Sequence, residues 1–526
     1  MTDQSQSPPS EYRILALYRF LPLVTDSEAS TVDQNSSDAP SHPERHPILK
    51  KLSTDLYDAL RPLQVRGTLL LAPEGINGTI CYPCISTCDS AHDGAAGEIN
   101  GDNDPVYQYL KTHPLFGGEE LRTRLSVWKD YFNEEDCRSD IELDEAQQKI
   151  QELKQPQQAF QRLKIKVKAE IVTMGLGRPL FRDGRVADDH QNYQNKHNNQ
   201  QTSDSGAADN KPATRQQHNQ KCNPLLTKGQ YLSPKSWDEA VKDPEVLVID
   251  TRNTYEIDIG TFDGAVDPKT KHFSEFPQYL EKLAGEFDWS AYHNKSGASS
   301  ICDTEKQEEL TNDADAAKGI EKKKPPKAIA MFCTGGIRCE KATSYALQSN
   351  LFPEGMPIYH LEGGILAYLD YAAKEKSAQN TDAAECDKES RDHKSTFHGE
   401  CFVFDKRVAV TEGLQPSKNY IPCYGCRGPM DRRLLLDNNC GDKRKSAEVP
   451  PSKYIVLMEG VPNLPELKYD SETKAWYLPG LTCPRCHDGT TRESLERFAQ
   501  RKEQMEICKR EGKEHFRDGK ADTTCT

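Results

Sequence analysis

The stretch AIAMFCTGGIRCEKATSYAL, residues 328–347, sets a cysteine between an apolar run and a helix-like pattern. The first five residues are apolar, a Gly-Gly pair follows, and good helix formers occupy the rest. This order predicts a strand, a tight loop and a helix, with Cys333 at the carboxyl end of the strand. In an open α/β sheet, ligands bind at that end of the strands.

The loop has the composition of an anion-binding cradle. Its two glycines allow backbone N–H groups to turn inward at the N-terminus of the helix, and Arg338 closes the loop with a positive charge. Such surroundings favour thiolate over thiol, so we predict that Cys333 is a reactive cysteine. A buried, unreactive cysteine is the alternative interpretation. The backbone donors of the predicted cradle belong to Thr334, Gly335, Gly336 and Ile337.

Two further strands are predicted to end beside this loop. EVLVID ends at Asp250, and PIYHLEGGILAYLDY predicts a strand, a turn and a helix. The alternation of strands and helices predicts a doubly wound parallel α/β domain over residues 225–375, with an insertion at 292–326. Asp250 and Arg252 are expected to brace the rim through a salt bridge, with direct catalysis as the alternative. Cys339 is either a core residue or a resolving thiol, and Glu362 is either a hydrogen-bond acceptor or a helix cap.

Residues 11–184 carry a different pattern, which predicts an α+β N-terminal domain. Strand-like and helix-like segments follow one another in the order β-α-β-β-α-β, with RLKIKVKAEIV at 162–172 as the final strand. This is the order of a ferredoxin-like fold. The turn between the two central strands is PEGING at 73–78, where Asn-Gly indicates a hairpin.

Composition limits the class of protein. The chain has 526 residues, of which 35% are hydrophobic, and a mean hydropathy of -0.79, which favours about three domains with polar insertions. We expect 185–224 and 376–395 to be linkers, and 396–526 to form a small Cys-rich C-terminal region ending in a helix. Segments that are predicted to be disordered lie at about 24–41, 83–104, 185–222, 292–326 and 374–396.

The sequence also indicates a compartment and a charge distribution. No apolar run is long enough to span a membrane, and the N-terminus does not resemble a signal peptide, so a cytoplasmic protein without a membrane partner is expected. The net charge of -14 argues against non-specific nucleic-acid binding by the whole chain. Residues 391–526 are nevertheless net basic, so the acidity is segregated.

Two Cys-x2-Cys units in the C-terminal region predict a structural zinc site. CYGC supplies Cys423 and Cys426, and CPRC supplies Cys483 and Cys486. Four thiolates in two such turns suit tetrahedral zinc, although two separate reduced pairs remain the alternative. Cys440 and His487 are candidate substitutes for the fourth ligand. A second cysteine cluster, which we do not expect to bind a metal, consists of Cys81, Cys84 and Cys88.

Basic side chains offer candidate RNA contacts, since phosphate binding requires cations near aromatic platforms. Any one of these runs is more simply a solvated face. The first candidates are Lys164, Lys166 and Lys168 on one face of a strand, with Lys406 and Arg407. Further candidates are Arg432, Arg433, Arg497, Arg501, Lys502, Lys509 and Arg510.

The motifs together resemble those of a known family. Asp-x-Arg after a strand, Cys-x4-Arg in the loop and Leu-Glu-Gly-Gly before the last helix resemble rhodaneses, in which the loop cysteine carries a persulfide. Related phosphatases use a loop that is one residue longer, so the resemblance disfavours a phosphatase. LAPEGINGTI, VIDTRNTYEIDIGTFDGAVDP, MFCTGGIRCEKATSYAL and GECFVFDKRVAV occur in an order similar to that of the rhodanese-related tRNA uridine hydroxylases. The polar insertions resemble those of eukaryotic members.

The resemblance implies an enzyme that hydroxylates C5 of the wobble uridine in tRNA with molecular oxygen, with Cys333 as the essential residue. We find neither a flavin nor an NAD motif. Two other functions remain open, namely a persulfide sulfurtransferase that uses the same cysteine and a non-catalytic RNA or protein adaptor. The complete loop and its arginine argue against the adaptor. The oligomeric state is not predicted.

Overall fold

The structure is a computed structural model of the chain. The residues that it describes are 11–24, 46–84, 103–129, 159–160, 162–176, 222–293, 322–381, 395–435 and 450–510.

The N-terminal part is built on a five-stranded sheet in the order β4-β1-β3-β2-β5. Strand β1 pairs antiparallel with both β3 and β4, whereas β5 pairs parallel with β2 at the opposite edge. The strands are β1 (Glu11–Phe20), β2 (Arg66–Ala72), β3 (Gly75–Pro83), β4 (Arg122–Lys129) and β5 (Leu163–Val167).

Two helices cover one face of this sheet and leave the other open to the rest of the molecule. Helix α1 (Pro47–Leu60) presents a leucine at every third or fourth position, which gives it one apolar face. Helix α2 (Pro105–Lys111) is capped by Asp104, whose carboxylate accepts two backbone N–H groups of its first turn. These helices pack against Leu15, Leu17, Leu69 and Leu71 of the sheet.

The sequence prediction for the last N-terminal strand is wrong in one respect. Residues 162–172 were expected to be the fourth strand of the ferredoxin-like pattern, but that place beside β1 belongs to β4. The predicted segment supplies instead an added fifth strand, β5, which ends at Val167. In the sequence, apolar and polar residues alternate strictly in β5 but less clearly in β4. The prediction therefore assigned the last strand to β5.

The second part contains a four-stranded parallel sheet in the order β6-β10-β9-β7. All five side chains of β9 are buried, because helices cover both faces of the sheet. The strands are β6 (Gln230–Leu232), β7 (Val246–Asp250), β8 (Gly260–Phe262), β9 (Ala328–Phe332) and β10 (Ile358–Leu361). The helices are α3 (Pro234–Lys242), α4 (Thr254–Ile257), α5 (Phe276–Gly285), α6 (Ser290–His293), α7 (Ile337–Gln348) and α8 (Gly364–Thr381).

The C-terminal part consists of short hairpins and three helices. Strand β11 (Phe397–Gly399) pairs with β8 and so continues the second part. The remaining strands form hairpins, namely β12 (Cys401–Phe402) with β13 (Ala409–Val410), β14 (Tyr420–Pro422) with β15 (Pro429–Asp431), and β16 (Lys468–Asp470) with β17 (Ala475–Tyr477). The helices are α9 (Ser452–Met458), α10 (Pro484–His487) and α11 (Arg492–Arg510).

Several sequence predictions fall on undescribed parts of the chain. The predicted disordered segments, together with Cys88 and Cys440, lie mainly outside the described residues, so the domain boundaries remain predictions. One segment can be corrected, because α8 continues to Thr381 through the start of the polar stretch predicted at 374–396. Among the described residues, no helix is both long and apolar enough to cross a membrane.

Candidate active site

Cys333 lies directly after β9, in the loop before α7, and its side chain is fully buried. The backbone N–H of Gly336 donates a hydrogen bond to its Sγ at 3.1 Å. Gly336 has a φ of 96°, a left-handed conformation that favours glycine. A side chain at Gly364 would collide with the backbone oxygens of Cys333 and Thr334. Gly336 within the loop and Gly364 at the start of α8 are therefore the two glycines that the loop conformation requires.

The surroundings of Cys333 stabilise its thiolate. Burial alone raises the pKa of the thiol, but the Cys339 thiol, the Arg338 guanidinium and the loop amides outweigh it and lower the pKa to about 6. The pKa of Cys339 is raised by burial and by the neighbouring Cys333, so the second thiol stays protonated. Cys339 also lies 3.6 Å from the hydroxyl oxygen of Thr251. The pair can therefore hold one thiolate and one thiol at neutral pH.

Arg338 is fixed by a carboxylate that sequence reasoning did not identify. Its Nη1 and Nη2 donate to the two oxygens of Glu256 at 2.8 and 2.7 Å, and both side chains are buried. Burial raises the pKa of Glu256, but the Arg338 guanidinium outweighs this effect and lowers it. Glu256 Oε2 also accepts the backbone N–H of Asn253, the N-cap residue of α4, at 3.1 Å. The Asn-x-x-Glu spacing was a signal for this cap, but it did not indicate the partner of Arg338.

Asp250 and Arg252 form the expected salt bridge. Arg252 Nε and Nη2 donate to the two carboxylate oxygens of Asp250 at 2.9 and 2.7 Å, and both side chains are fully buried. The Thr261 hydroxyl donates to the same carboxylate at 2.9 Å. These contacts tie the end of β7 to β8, which agrees with a bracing role.

A cavity of about 960 Å³ opens above Cys333. Its floor includes Cys333, Thr334, Gly335, Ile337 and Arg338, and its opposite wall is the open face of the N-terminal sheet. Further lining residues are Tyr18, Asn77, Arg122, Arg124, Phe160, Tyr231, Glu362 and Phe404. The volume is that of a small-molecule or nucleotide pocket. Glu362 is half-exposed and lies 3.7 Å from Arg122.

Buried polar contacts join the N-terminal part to α7. Tyr18 and Tyr231 each donate a hydrogen bond to the Glu340 carboxylate, at 2.8 and 2.7 Å. Lys341 Nζ lies 2.9 Å from Glu74 and 2.6 Å from a carboxylate oxygen of Glu170. Both acidic residues belong to the N-terminal part. The helix that begins at the Cys333 loop is therefore anchored to the opposite wall of the cavity.

The four predicted zinc cysteines come together in the C-terminal part. Their sulfur atoms all lie within 4.8 Å of one another, so the cluster could hold a metal ion. The Cys423–Cys486 and Cys426–Cys483 sulfur pairs are 3.6 and 3.7 Å apart. A tetrahedron with metal–sulfur bonds of about 2.3 Å has edges of about 3.8 Å, so the spacing fits one ion. The two Cys-x2-Cys units thus lie together in one cluster.

The substitute ligands are not needed for this cluster. His487 Nδ1 lies 3.0 Å from the Thr482 hydroxyl, and its ring packs against Tyr454.

In the other cysteine group, Cys81 is buried in an apolar cluster, and burial raises its pKa to about 12.

The predicted RNA-contacting residues occupy different environments. Lys164, Lys166, Lys168 and Lys406 are exposed. Arg407 is instead buried and donates to the Asp405 carboxylate at 2.9 and 2.6 Å. This ion pair does not support a role for Arg407 in RNA binding. Lys164 lies near Arg501 of α11, which brings two of the predicted groups together.

Comparisons with known proteins agree with this architecture. Residues 44–171 match the family model described as UPF0176 acylphosphatase like domain. A tRNA uridine(34) hydroxylase of Teredinibacter turnerae is 29% identical over 509 residues, which cover 97% of this chain and 94% of the relative. The family resemblance of the sequence motifs is thus confirmed, and the N-terminal domain is acylphosphatase-like.

A solved chain from Rhodopseudomonas palustris CGA009, described as a protein of unknown function and possible tyrosine phosphatase, is 18% identical. The match covers 27% of this chain and 79% of the solved one, with a TM-score of 0.16. A score this low supports no inference.

Proposed function

We propose that this relative of the tRNA uridine(34) hydroxylases hydroxylates C5 of the wobble uridine in tRNA with molecular oxygen, and that Cys333 is its catalytic residue. One observation carries the proposal: a thiol with a lowered pKa lies at the floor of a nucleotide-sized cavity. The similarity to the Teredinibacter turnerae hydroxylase extends over nearly the whole chain and supports the choice of reaction.

The chemistry begins with the thiolate. Cys333 adds to C6 of the uracil ring, which places negative charge on C5 and makes that carbon reactive toward oxygen. One oxygen atom stays on C5 as the hydroxyl group and the other leaves as water, with two electrons and two protons from a reductant. Loss of the C5 proton and of the Cys333 thiolate restores the ring. The loop amides and Arg338 stabilise the thiolate both before attack and after release.

The remaining site residues position this thiolate. Glu256 holds Arg338 in place through two hydrogen bonds, so the positive charge stays beside the sulfur. Asp250 and Arg252 brace the neighbouring strand end rather than contact substrate. The second part of the chain is rhodanese-like in this proposal, since its parallel sheet presents a Cys-x4-Arg loop.

The substrate fits the position of the site. The wobble base belongs to a single-stranded loop of the tRNA. It can therefore enter the cavity without breaking a base pair. The aromatic rings of Tyr18, Phe160 and Phe404 line the cavity and offer faces on which bases can stack.

The metal of the C-terminal cluster is zinc in this proposal. Four cysteine sulfurs at tetrahedral spacing are the donor set of structural zinc sites. All four positions are filled by protein ligands, which leaves no open position for substrate. The zinc therefore holds the C-terminal part together and takes no part in hydroxylation.

The test is mass spectrometry of nucleosides from the tRNA of cells that lack this protein. Complementation with the wild type is expected to restore 5-hydroxyuridine and its derivatives, whereas Cys333→Ser is not. A matched control is Cys222→Ser, which removes a half-buried thiol that forms no part of the cavity lining. If a thiolated nucleoside falls instead, the persulfide sulfurtransferase replaces the hydroxylase. If Cys333→Ser complements fully, the protein acts as an adaptor.

A further inference from the structure

The two faces of the N-terminal sheet have opposite characters. Leu15 and Leu17 of β1 point into the core beneath α1 and α2, while Ala16 and Tyr18, which alternate with them, line the cavity. In β2, Thr68 and Leu70 likewise line the cavity. We call this side of the sheet the cavity face.

At one edge of the cavity face, β4 carries two arginines. Arg122 and Arg124 are two residues apart on the strand, so both project to the same side, and both line the cavity. Their nearest carboxylates, Glu362 and Asp370, lie 3.7 and 3.8 Å away. Those distances exceed a good hydrogen bond, and Asp370 also lies 3.3 Å from Lys374. Arg122 also lies over the Tyr231 ring, 4.9 Å from its centroid. Because neither guanidinium group forms a close ion pair with a carboxylate, both retain capacity for an anionic ligand.

At the other edge, β5 carries two lysines on the same face. Lys164 pairs with Thr68 and Lys166 with Leu70, and directly paired residues of neighbouring strands project to the same side. Both lysines are exposed. Burial and the charges of Arg162, Lys166 and Arg501 lower the pKa of Lys164. Positive charge is therefore concentrated at this edge, in a chain with a net charge of -14.

The separation of the two edges suits a short stretch of RNA. Four strand spacings of about 4.8 Å place β4 and β5 roughly 19 Å apart, and the cavity lies between them. A short RNA segment whose central base reaches Cys333 could place phosphates of the preceding nucleotides near one edge and phosphates of the following nucleotides near the other. Phe404, which is 66% exposed and lines the cavity, adds an aromatic surface from the C-terminal part.

We infer that the cavity face binds the RNA backbone on both sides of the target nucleotide, with Arg122 and Arg124 contacting phosphates at one edge and Lys164 and Lys166 at the other. This inference rests on the proposed function, because hydroxylation of tRNA requires a surface that binds the RNA around the target base. Arg122 and Arg124 are new candidates, since the residues that the sequence proposed for RNA contact include Lys164 and Lys166 but neither of these arginines.

The experiment measures binding of a 17-nucleotide anticodon stem-loop RNA with uridine at the wobble position, as a function of salt. The variants are R122Q/R124Q and K164Q/K166Q. The matched control is K50Q/K51Q, which removes two exposed charges from α1 on the covered side of the sheet. We expect each cavity-face variant to bind about tenfold more weakly, with a salt slope smaller by about 0.7 per lost phosphate contact. The control should match the wild type.

Kinetics separate binding from chemistry. Both cavity-face variants should raise KM for the stem-loop while kcat and the thermal unfolding midpoint stay near the wild-type values. If both variants keep the wild-type affinity and salt slope, or if the wild type does not bind the stem-loop, this inference is overturned. If the wild type binds the RNA through these residues but cells that lack the protein keep normal 5-hydroxyuridine, the proposed function fails and the binding surface stands.

Discussion

The lowered pKa of Cys333 results from opposing effects on a single thiol. Burial favours the neutral form, whereas the Cys339 thiol, Arg338 and the loop amides favour the anion. The anion-stabilising effects prevail and bring the pKa to about 6. Cys401 is also buried, but there the effect of burial prevails and raises the pKa of the thiol to about 12. A single loop thus distinguishes one thiol from its neighbours at neutral pH.

We predict that the reaction of Cys333 with iodoacetamide accelerates as pH rises, with a midpoint near pH 6. The thiolate is the reactive form, and its fraction grows as pH passes through the pKa. Arg338→Met should move this midpoint upward, toward the usual thiol value of about 8.5, because it removes the positive charge beside the sulfur. Peptide mass spectrometry measures the rate at each pH. Cys222→Ser should leave the midpoint unchanged, and a midpoint of 8 or above in the wild type would contradict the assignment.

At the scale of secondary structure, the sequence predicts those elements whose signals are local. The strand, loop and helix around Cys333 are adjacent in the chain, and β9 and α7 occur as expected. β4 was missed, although Thr123, Leu125 and Val127 alternate with polar residues. Its place beside β1 depends on pairing with residues about a hundred positions away, which no local pattern reveals.

Contacts between distant parts of the chain also limit what the sequence can predict about the candidate active site. Glu256, which holds Arg338, is 82 residues away in sequence, and Tyr18 and Glu340 are 322 residues apart. Single-sequence reasoning selected the candidate site residues by residue type. It did not identify their partners, because those contacts arise from packing between separate parts of the chain.

We predict that Lys341→Met weakens the junction between α7 and the N-terminal sheet. The change leaves the Glu74 and Glu170 carboxylates without the buried cation that now lies within 3 Å of both. Loss of one partner from a buried ion pair costs about 3–5 kcal/mol in the free energy of unfolding. Urea denaturation of the variant and the wild type measures the difference.

The loss of stability in the Lys341→Met variant should depend on pH. Burial already raises the pKa of Glu74 above its usual value, and Lys341 opposes that rise. Without the lysine the pKa of Glu74 is higher still, so the folded variant binds more protons than the unfolded chain. The loss should therefore be large at pH 7.5 and smaller at pH 5. Lys376→Met, which disrupts an exposed pair with Glu412, is the control. Equal losses at the two pH values would contradict this account of Lys341.

Considered as a whole, the described molecule brings three parts of the chain to one loop. The N-terminal sheet contacts α7 through Tyr18 and Lys341. On the other side, α4 supplies Glu256 to Arg338, and Asp258, directly after α4, pairs with Arg485 of the cysteine cluster. Arg485 lies between Cys483 and Cys486. The cysteine cluster is thus connected to the Cys333 loop through the short helix α4.

We predict that removal of the metal loosens α4 as well as the C-terminal part. The purified protein should contain about one zinc ion per chain, and Cys423→Ser should lose it, because three thiolates leave the tetrahedral site incomplete. Amide hydrogen exchange in residues 250–262 should then become faster, since the contact with Arg485 is no longer held in place. Exchange in residues 66–83 of the N-terminal sheet should not change. Elemental analysis and exchange mass spectrometry make the two measurements.

Arg485→Gln separates the ion pair from the metal. This variant keeps all four cysteines, so it should retain zinc and show a smaller increase in exchange than Cys423→Ser, confined to residues near Asp258. Because α4 also positions Glu256, the alkylation midpoint of Cys333 should rise in the zinc-free protein, as Arg338 becomes less firmly held beside the sulfur. If zinc is lost while exchange in α4 and the Cys333 midpoint stay unchanged, the cluster stabilises the C-terminal part alone and the connection through α4 carries no effect.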